Sequence, residues 1–168
     1  MKLFAVFLGG KAKGASIEMH DLVFVAGRAL KDTIPQLRKL WFGDKSSVHI
    51  DSYAPLTHVD GYEIELVKGA PRGGPKLYFV NIGSYTKNRF GENHHYFFIV
   101  AKNGLEARAR AKAAVKTLGE DVPHTDNLFE IDKIAPVKPA SGLALVLTKR
   151  GRAKPVRITN TYLPIGRH

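Results

Sequence analysis

Lys2-Leu3-Phe4-Ala5-Val6-Phe7-Leu8-Gly9-Gly10 returns later in the chain as Lys76-Leu77-Tyr78-Phe79-Val80-Asn81-Ile82-Gly83-Ser84. Held at that offset without a gap, residues 2–28 and 76–102 are identical at eight positions: Lys2, Leu3, Val6, Gly9, Lys13, Glu18, His20 and Phe24. A repeated unit of this kind predicts two related lobes packed about a pseudo-two-fold axis, with the recurring polar residues at related places. Leu3 to Leu8 and Leu22 to Ala26 are continuous apolar runs, as are Leu77 to Ile82 and Tyr96 to Ala101. Runs without alternation predict interior strands covered on both faces.

After the second strand of each copy the period changes to that of a helix. Ile34, Leu37, Leu40 and Trp41 share a face, Pro35 suits a first turn capped near Asp32, and Gly43 supplies the stop. In the second copy Asn103 and Glu106 resemble a capping box, followed by an apolar stripe of Ala107, Ala111, Ala114, Val115 and Leu118 that ends at Gly119. The first copy continues through His49-Ile50-Asp51 to the strand Tyr62 to Val67. The second continues through His124-Thr125-Asp126 to a strand from Leu128 to Ile134. Residues 68–75, Lys-Gly-Ala-Pro-Arg-Gly-Gly-Pro, have linker composition. Leu143 to Thr148 and Val156 to Thr161 flank a cationic turn and predict a hairpin. The expectation is an α+β fold: a first strand–strand–helix–strand repeat over 1–67, a linker at 68–75, a second repeat over 76–136, and a basic β-hairpin extension over 137–168.

Composition narrows the function. With 168 residues and 44% hydrophobic content the chain can bury a core unaided. It has no cysteine, which excludes disulfides, thiolate catalysis and cysteine-ligated zinc and fits a reducing cytosol. No stretch reaches the length of a membrane span, and the apolar start is too short for a signal peptide. The net charge of +11 is concentrated late: residues 1–74 hold ten Lys/Arg against eight Asp/Glu, and residues 75–168 hold sixteen against seven. Such asymmetry favours an anionic partner, with nucleic acid the leading class.

The strings Phe4-Ala5-Val6-Phe7-Leu8-Gly9-Gly10, Glu18-Met19-His20-Asp21-Leu22-Val23-Phe24-Val25, Asp32-Thr33-Ile34-Pro35-Gln36-Leu37, Trp41-Phe42-Gly43 and His49-Ile50-Asp51-Ser52 together resemble the bacterial family called domain of unknown function 1543, here in tandem. The second copy is recognisable through Gly83, His94 and His124-Thr125-Asp126. The chain departs from the family pattern at Ala29, where that pattern favours a helix-capping serine. The resemblance implies a bacterial, cytosolic protein and carries no activity with it.

Two kinds of chemistry are open. Glu18 with His20, Glu92 with His94, His49 with Asp51, and His124 with Asp126 are each two apart, so on a strand each pair projects to one side. A carboxylate beside an imidazole suits general acid–base work, making Glu18, His20, His49, Glu92, His94 and His124 the catalytic candidates of a hydrolase sited between the repeats. His20, His49, Asp51, His94, His124 and Asp126 are also candidate ligands for a divalent metal. One His per lobe resembles the two-histidine phosphoesterases, but Asp51 and Asp126 stand where hydroxyls are needed. Against all of this, polar residues at strand ends commonly close Asx turns or bond nearby backbone.

The other chemistry is anion binding. Lys11, Lys13, Lys87 and Arg89 lie on glycine-bearing loops, Arg108, Lys112 and Lys116 line one side of a helix, and Lys149, Arg150, Arg152 and Lys154 crowd the expected hairpin turn. The sequence alone favours a binding or interaction module without cofactor, with nucleic acid, a protein partner or a second copy as its ligand. The hydrolase is the alternative.

Overall fold

The computed structural model describes every residue except 70–72, 87, 89, 118–128, 152 and 167–168, and describes 129–130 by backbone alone. The chain divides into two compact units, residues 1–72 with 138–168, and residues 73–137.

In the first unit β1 (Lys2–Gly10) and β2 (Met19–Gly27) pair antiparallel, followed by a 3₁₀ turn Leu30–Thr33, α1 (Ile34–Leu40), β3 (His49–Pro55), β4 (His58–Val59) and β5 (Tyr62–Val67). The second unit holds β6 (Lys76–Ser84), β7 (Asn93–Ala101), α2 (Gly104–Val115) and β8 (Phe129–Pro136), after which β9 (Ala144–Lys149) and β10 (Thr159–Pro164) return to the first. The strands form sheets ordered β10-β3-β1-β2, β4-β5-β9 and β7-β6-β8, with every pairing antiparallel. The α+β class follows directly.

β1 and β6 are central strands, and their buried runs match that position. β2 and β7 are edge strands, which corrects the reading of Leu22 to Ala26 and Tyr96 to Ala101 as interior. The free edge of β2 is partly covered, since Ala140 N–H bonds to Phe24 O, and a covered edge tolerates an apolar run.

Along β1, Phe4, Val6 and Leu8 face one way and pack with Leu37 and Trp41 of the α1 segment, Val23, Val25, Val48, Ile50 and Ile165. Full burial of one such side chain stabilises by about 1.5–3 kcal/mol. Period-two alternation puts Leu3, Ala5, Phe7 and Gly9 on the opposite face. α1 begins with Pro in its first turn and stops at Trp41, whose backbone is extended. Ala29 has no side-chain acceptor for a cap. The Asp32 carboxylate instead accepts from Ala29 N–H at 2.9 Å, and this holds the turn closed. In the second unit Asn103 caps α2 by accepting from Glu106 N–H, while Glu106 reaches back to Lys102 N–H. The stripe Ala107, Ala111 and Val115 packs on Tyr78, Val80 and Ile82.

The expected C-terminal hairpin does not form. β9 pairs with β5 and β10 pairs with β3. Each strand has a free sheet edge available in the first unit, and a long partner on such an edge buries more than a short hairpin joined by a cation-rich turn. Asp60 (φ 53°) and Gly61 (φ 79°) make the two-residue turn between β4 and β5, as left-handed tight turns require.

Candidate functional site

The register fixes the site. Gly9 pairs with His20 on one side and with His49 on the other, so two imidazoles flank a residue without a side chain. The β1–β3 ladder shifts between Phe7 and Leu8, because Phe7 faces Ser52 while Leu8 faces Ile50. Asp51 is the extra residue of that bulge. Bulges re-aim side chains and cluster beside functional sites, and here the bulge turns Asp51 toward the space over Gly9.

Glu18, His20, His49 and Asp51 therefore converge. His49 Nε2 is 3.2 Å from Glu18 Oε1 and 3.2 Å from Asp51 Oδ1. His20 Nε2 is 3.3 Å from Asp51 Oδ2 and 3.7 Å from Glu18 Oε2. His49 is buried, with its Nδ1 on Ser47 O at 3.1 Å and its ring 4.5 Å from that of Tyr162 on β10. His20 stacks on Phe7 at 5.3 Å. The side chains of His20 and Glu18 keep 40% and 48% of their surface exposed, so the cluster opens to solvent on that side. His49 Nε2 and Asp51 Oδ2 are buried without a hydrogen bond.

The second unit repeats the frame. β6 pairs with β7 at the register of β1 with β2, each residue advanced by 74: Lys2↔Gly27 becomes Lys76↔Ala101, and Gly9↔His20 becomes Gly83↔His94. The β6–β8 ladder shifts between Asn81 and Ile82, the positions equivalent to Phe7 and Leu8. Ile82 pairs with Ile131 and Asn81 with Lys133, leaving Asp132 as the bulged residue. Glu92, His94 and Asp132 gather there, with His94 Nδ1 3.2 Å from Asp132 Oδ2. Next to His94, burial and then the nearby His94 charge hold the His95 imidazole below its ordinary pKa, while Ser84 Oγ lies 2.9 Å from its Nε2. Burial, followed by Asp132, raises the Tyr96 phenol.

Among the residues singled out from sequence, Glu18, His20, His49 and Asp51 come together, and Glu92 joins His94. His124 and Asp126 lie outside the described residues. The register assigns the place of His49 to position 130 and that of Asp51 to Asp132, so His124-Thr125-Asp126 is not the counterpart of His49-Ile50-Asp51. The offset grows after the longer second helix. Asp132, Asn81 and Tyr162 escaped the sequence reading. The one available signal for Asp132 was the pair Ile50-Asp51 recurring as Ile131-Asp132.

The described cations are divided between the two units. Lys11 and Lys13 lie on the loop before Glu18, where Lys11 N–H donates to Ser47 Oγ at 2.8 Å. Lys87, Arg89 and Arg152 lie outside the described residues. Arg108 and Lys116 are exposed and Lys112 half-buried on α2 of the second unit, whereas Lys149, Arg150 and Lys154 belong to the first. Arg150 forms a 2.8 Å ion pair with Glu63. Among the described residues, no hairpin turn gathers these charges.

The fold and site together define an α+β protein whose central glycine and strand bulge assemble a histidine–carboxylate cluster. Residues 15–66 match the family described as Domain of Unknown Function (DUF1543), a span that includes all four clustered residues of the first unit. The chain belongs to that family. It is similar over 99% of its length, and 99% of the other chain, to the crystal structure of a protein Il1583 from Idiomarina loihiensis, with 32% sequence identity and a TM-score of 0.77. No curated protein matches the chain. No helix among the described residues is long and apolar enough to cross a membrane.

Proposed function

We propose that this chain is a divalent-metal-binding protein whose first-unit centre is made by Glu18, His20, His49 and Asp51. One observation carries the reading. Ser47 O is a carbonyl and only accepts, so His49 Nδ1 bears the proton in that 3.1 Å contact. In the neutral ring Nε2 is then a bare lone pair, and it faces carboxylate oxygens of Glu18 and Asp51 at 3.2 Å each. Acceptors do not converge at that distance unless something positive lies between them. A second ring proton is the other way to supply that charge, and it would pair His49 Nε2 with those two carboxylate oxygens alone. A cation satisfies all of these groups together.

The spacing supports the same conclusion. Ligands on bonds of about 2.0–2.2 Å stand roughly 3.3–3.6 Å apart in a tetrahedron; here His49 Nε2 lies 3.2 Å from one oxygen of each carboxylate, and His20 Nε2 lies 3.3 and 3.7 Å from the other oxygen of each. The Ser47 contact is the outer-shell bond that orients a ligating imidazole. Two imidazoles with two carboxylates suit zinc and its transition-metal neighbours. A metal held there supplies Lewis acidity and an acidified water, which is the chemistry of hydrolysis. The exposed side formed by His20 and Glu18 is where a substrate would enter. The parallel register, bulge and glycine of the second unit support an origin by internal duplication.

Elemental analysis and thermal melting of the metal-stripped protein with added Zn²⁺ test the reading. One tightly held zinc per first-unit site and a raised melting temperature are expected, because an ion bound only by the native state stabilises it by about 2.7 kcal/mol at a hundred times its Kd. His49→Ala and Asp51→Asn should abolish that shift. Wild-type protein that neither retains zinc nor gains stability rules the centre out.

A further inference from the structure

The cluster of the second unit is built on the same frame with different donors. Glu92, His94 and Asp132 each offer a ligand atom, all within 4.8 Å of one another. A Cβ on Gly83 would run into Glu92 Oε1 and come within 3.3 Å of Asp132 Oδ1, so the absent side chain again makes the room. Where the first unit has apolar Phe7 against His20, the second has Asn81, whose Nδ2 donates to Asp132 Oδ2 at 2.8 Å and lies 3.4 Å from His94 Nδ1. Asn81 Oδ1 is buried and accepts no hydrogen bond. The donor set is one imidazole and two carboxylates, against two imidazoles and two carboxylates in the first unit.

We infer that the second unit holds its own cation site, at Glu92, His94 and Asp132 with Asn81 beside them, and that it takes a hard, oxygen-preferring divalent ion of the Mn²⁺ class. Carboxylate and carbonyl oxygens favour manganese, magnesium and calcium, whereas imidazoles favour zinc, copper and nickel. With one imidazole in place of two, the carboxylate oxygens dominate the donor set and move the site along that scale. Together with the proposed first-unit centre, this site would give the protein two ions of different kinds, one in each unit. This inference stands on the second unit's own residues and does not depend on the first-unit centre.

The test uses the full chain, stripped of metal, given one equivalent of Zn²⁺ and then titrated with Mn²⁺. Amide ¹H–¹⁵N spectra locate each ion separately. Manganese should broaden Gly83, His94 and Asp132 most steeply at substoichiometric addition, while zinc shifts resonances around His20 and His49. Glu92→Gln or Asp132→Asn should weaken manganese binding at least about tenfold and leave the zinc-dependent shifts in place. If those variants do not fold, the wild-type broadening map decides alone. Broadening confined to Gly9, His20 and His49, or no broadening, overturns the second site. Loss of the zinc shifts with manganese still mapping to Gly83 instead removes the first-unit reading and keeps this one.

Discussion

Gly9 and Asp51 share one volume: a Cβ on Gly9 would lie 2.6 Å from Asp51 Oδ2, and also 2.6 Å from His49 Nε2. The glycine is required for space and not for backbone freedom, since Gly9 is not among the residues of positive φ. Both colliding atoms are the tips of side chains, so they can yield while the strand stays in place.

Gly9→Ala should therefore separate the site from the fold. The metal-free variant is expected to melt within about 1 kcal/mol of wild type, because alanine restricts the unfolded chain and adds no backbone strain. Its zinc affinity should fall at least about tenfold as the displaced imidazole and carboxylate lose their geometry. Calorimetric titration beside a circular-dichroism melt measures both. A variant with unchanged zinc affinity refutes the glycine argument.

Trp41 anchors the core under α1. It is 1% exposed, packs with Leu37 and the Phe4–Val6–Leu8 face, and donates its indole N–H to Asp44 O at 3.1 Å. Trp41→Ala should cost about 3–5 kcal/mol, read as a lowered urea midpoint by circular dichroism. Trp41 is the only tryptophan in the chain. In wild type, fluorescence therefore follows the first unit alone, and a fluorescence midpoint that differs from the dichroism midpoint would report separate unfolding of the two units.

Asp44 sets an acid-side dependence. Its carboxylate accepts from Ser46 N–H and Ser46 Oγ, both at 2.9 Å, and these bonds, with a smaller contribution from Lys11, hold its pKa below the ordinary value. A depressed carboxyl pKa means the unfolded chain takes up the proton first as pH falls. The stabilisation is complete above the unfolded value of about 3.9 and disappears as pH drops through the folded one. Asp44→Asn should flatten the decline in melting temperature across that acid window and leave neutral pH almost untouched. Equal pH slopes in the two proteins would contradict it.

The Arg150–Glu63 pair joins the end of β9 to β5 at 2.8 Å, yet the Arg150 side chain is 61% exposed. Exposed pairs contribute little, so a double-mutant cycle with Glu63→Gln and Arg150→Met should give a coupling of about 0.2–1 kcal/mol that shrinks in high salt. A coupling several times larger would mean that the pair fixes β9 in its place.

The parts of this fold that were legible in sequence are those set by local pattern. The offset of 74 carries through both strand pairs residue for residue, and Asn103 caps its helix where the composition indicated. Glu18, His20, His49 and Asp51 were visible as two short pairs, but nothing local joins 18–20 to 49–51. That meeting is made by the pairing of Gly9 with both His20 and His49. Asp132 was hidden because the offset changes after α2, which leaves only a two-residue echo. The fates of β9 and β10 were hidden for a different reason. Which sheet edge a late strand joins depends on which edges remain open, and their own residues do not encode that.

That late pairing has a consequence for how the protein is made. β3, which carries His49 and Asp51, receives its outer neighbour β10 only after the entire second unit has been translated. On the ribosome the second unit contains all of its own sheet and can close first. The first unit must wait with an unpaired strand edge, the kind of surface that invites mispairing. Tyr162 then reaches the His49 ring among the last steps, so the older end of the chain is the one whose chemistry matures last.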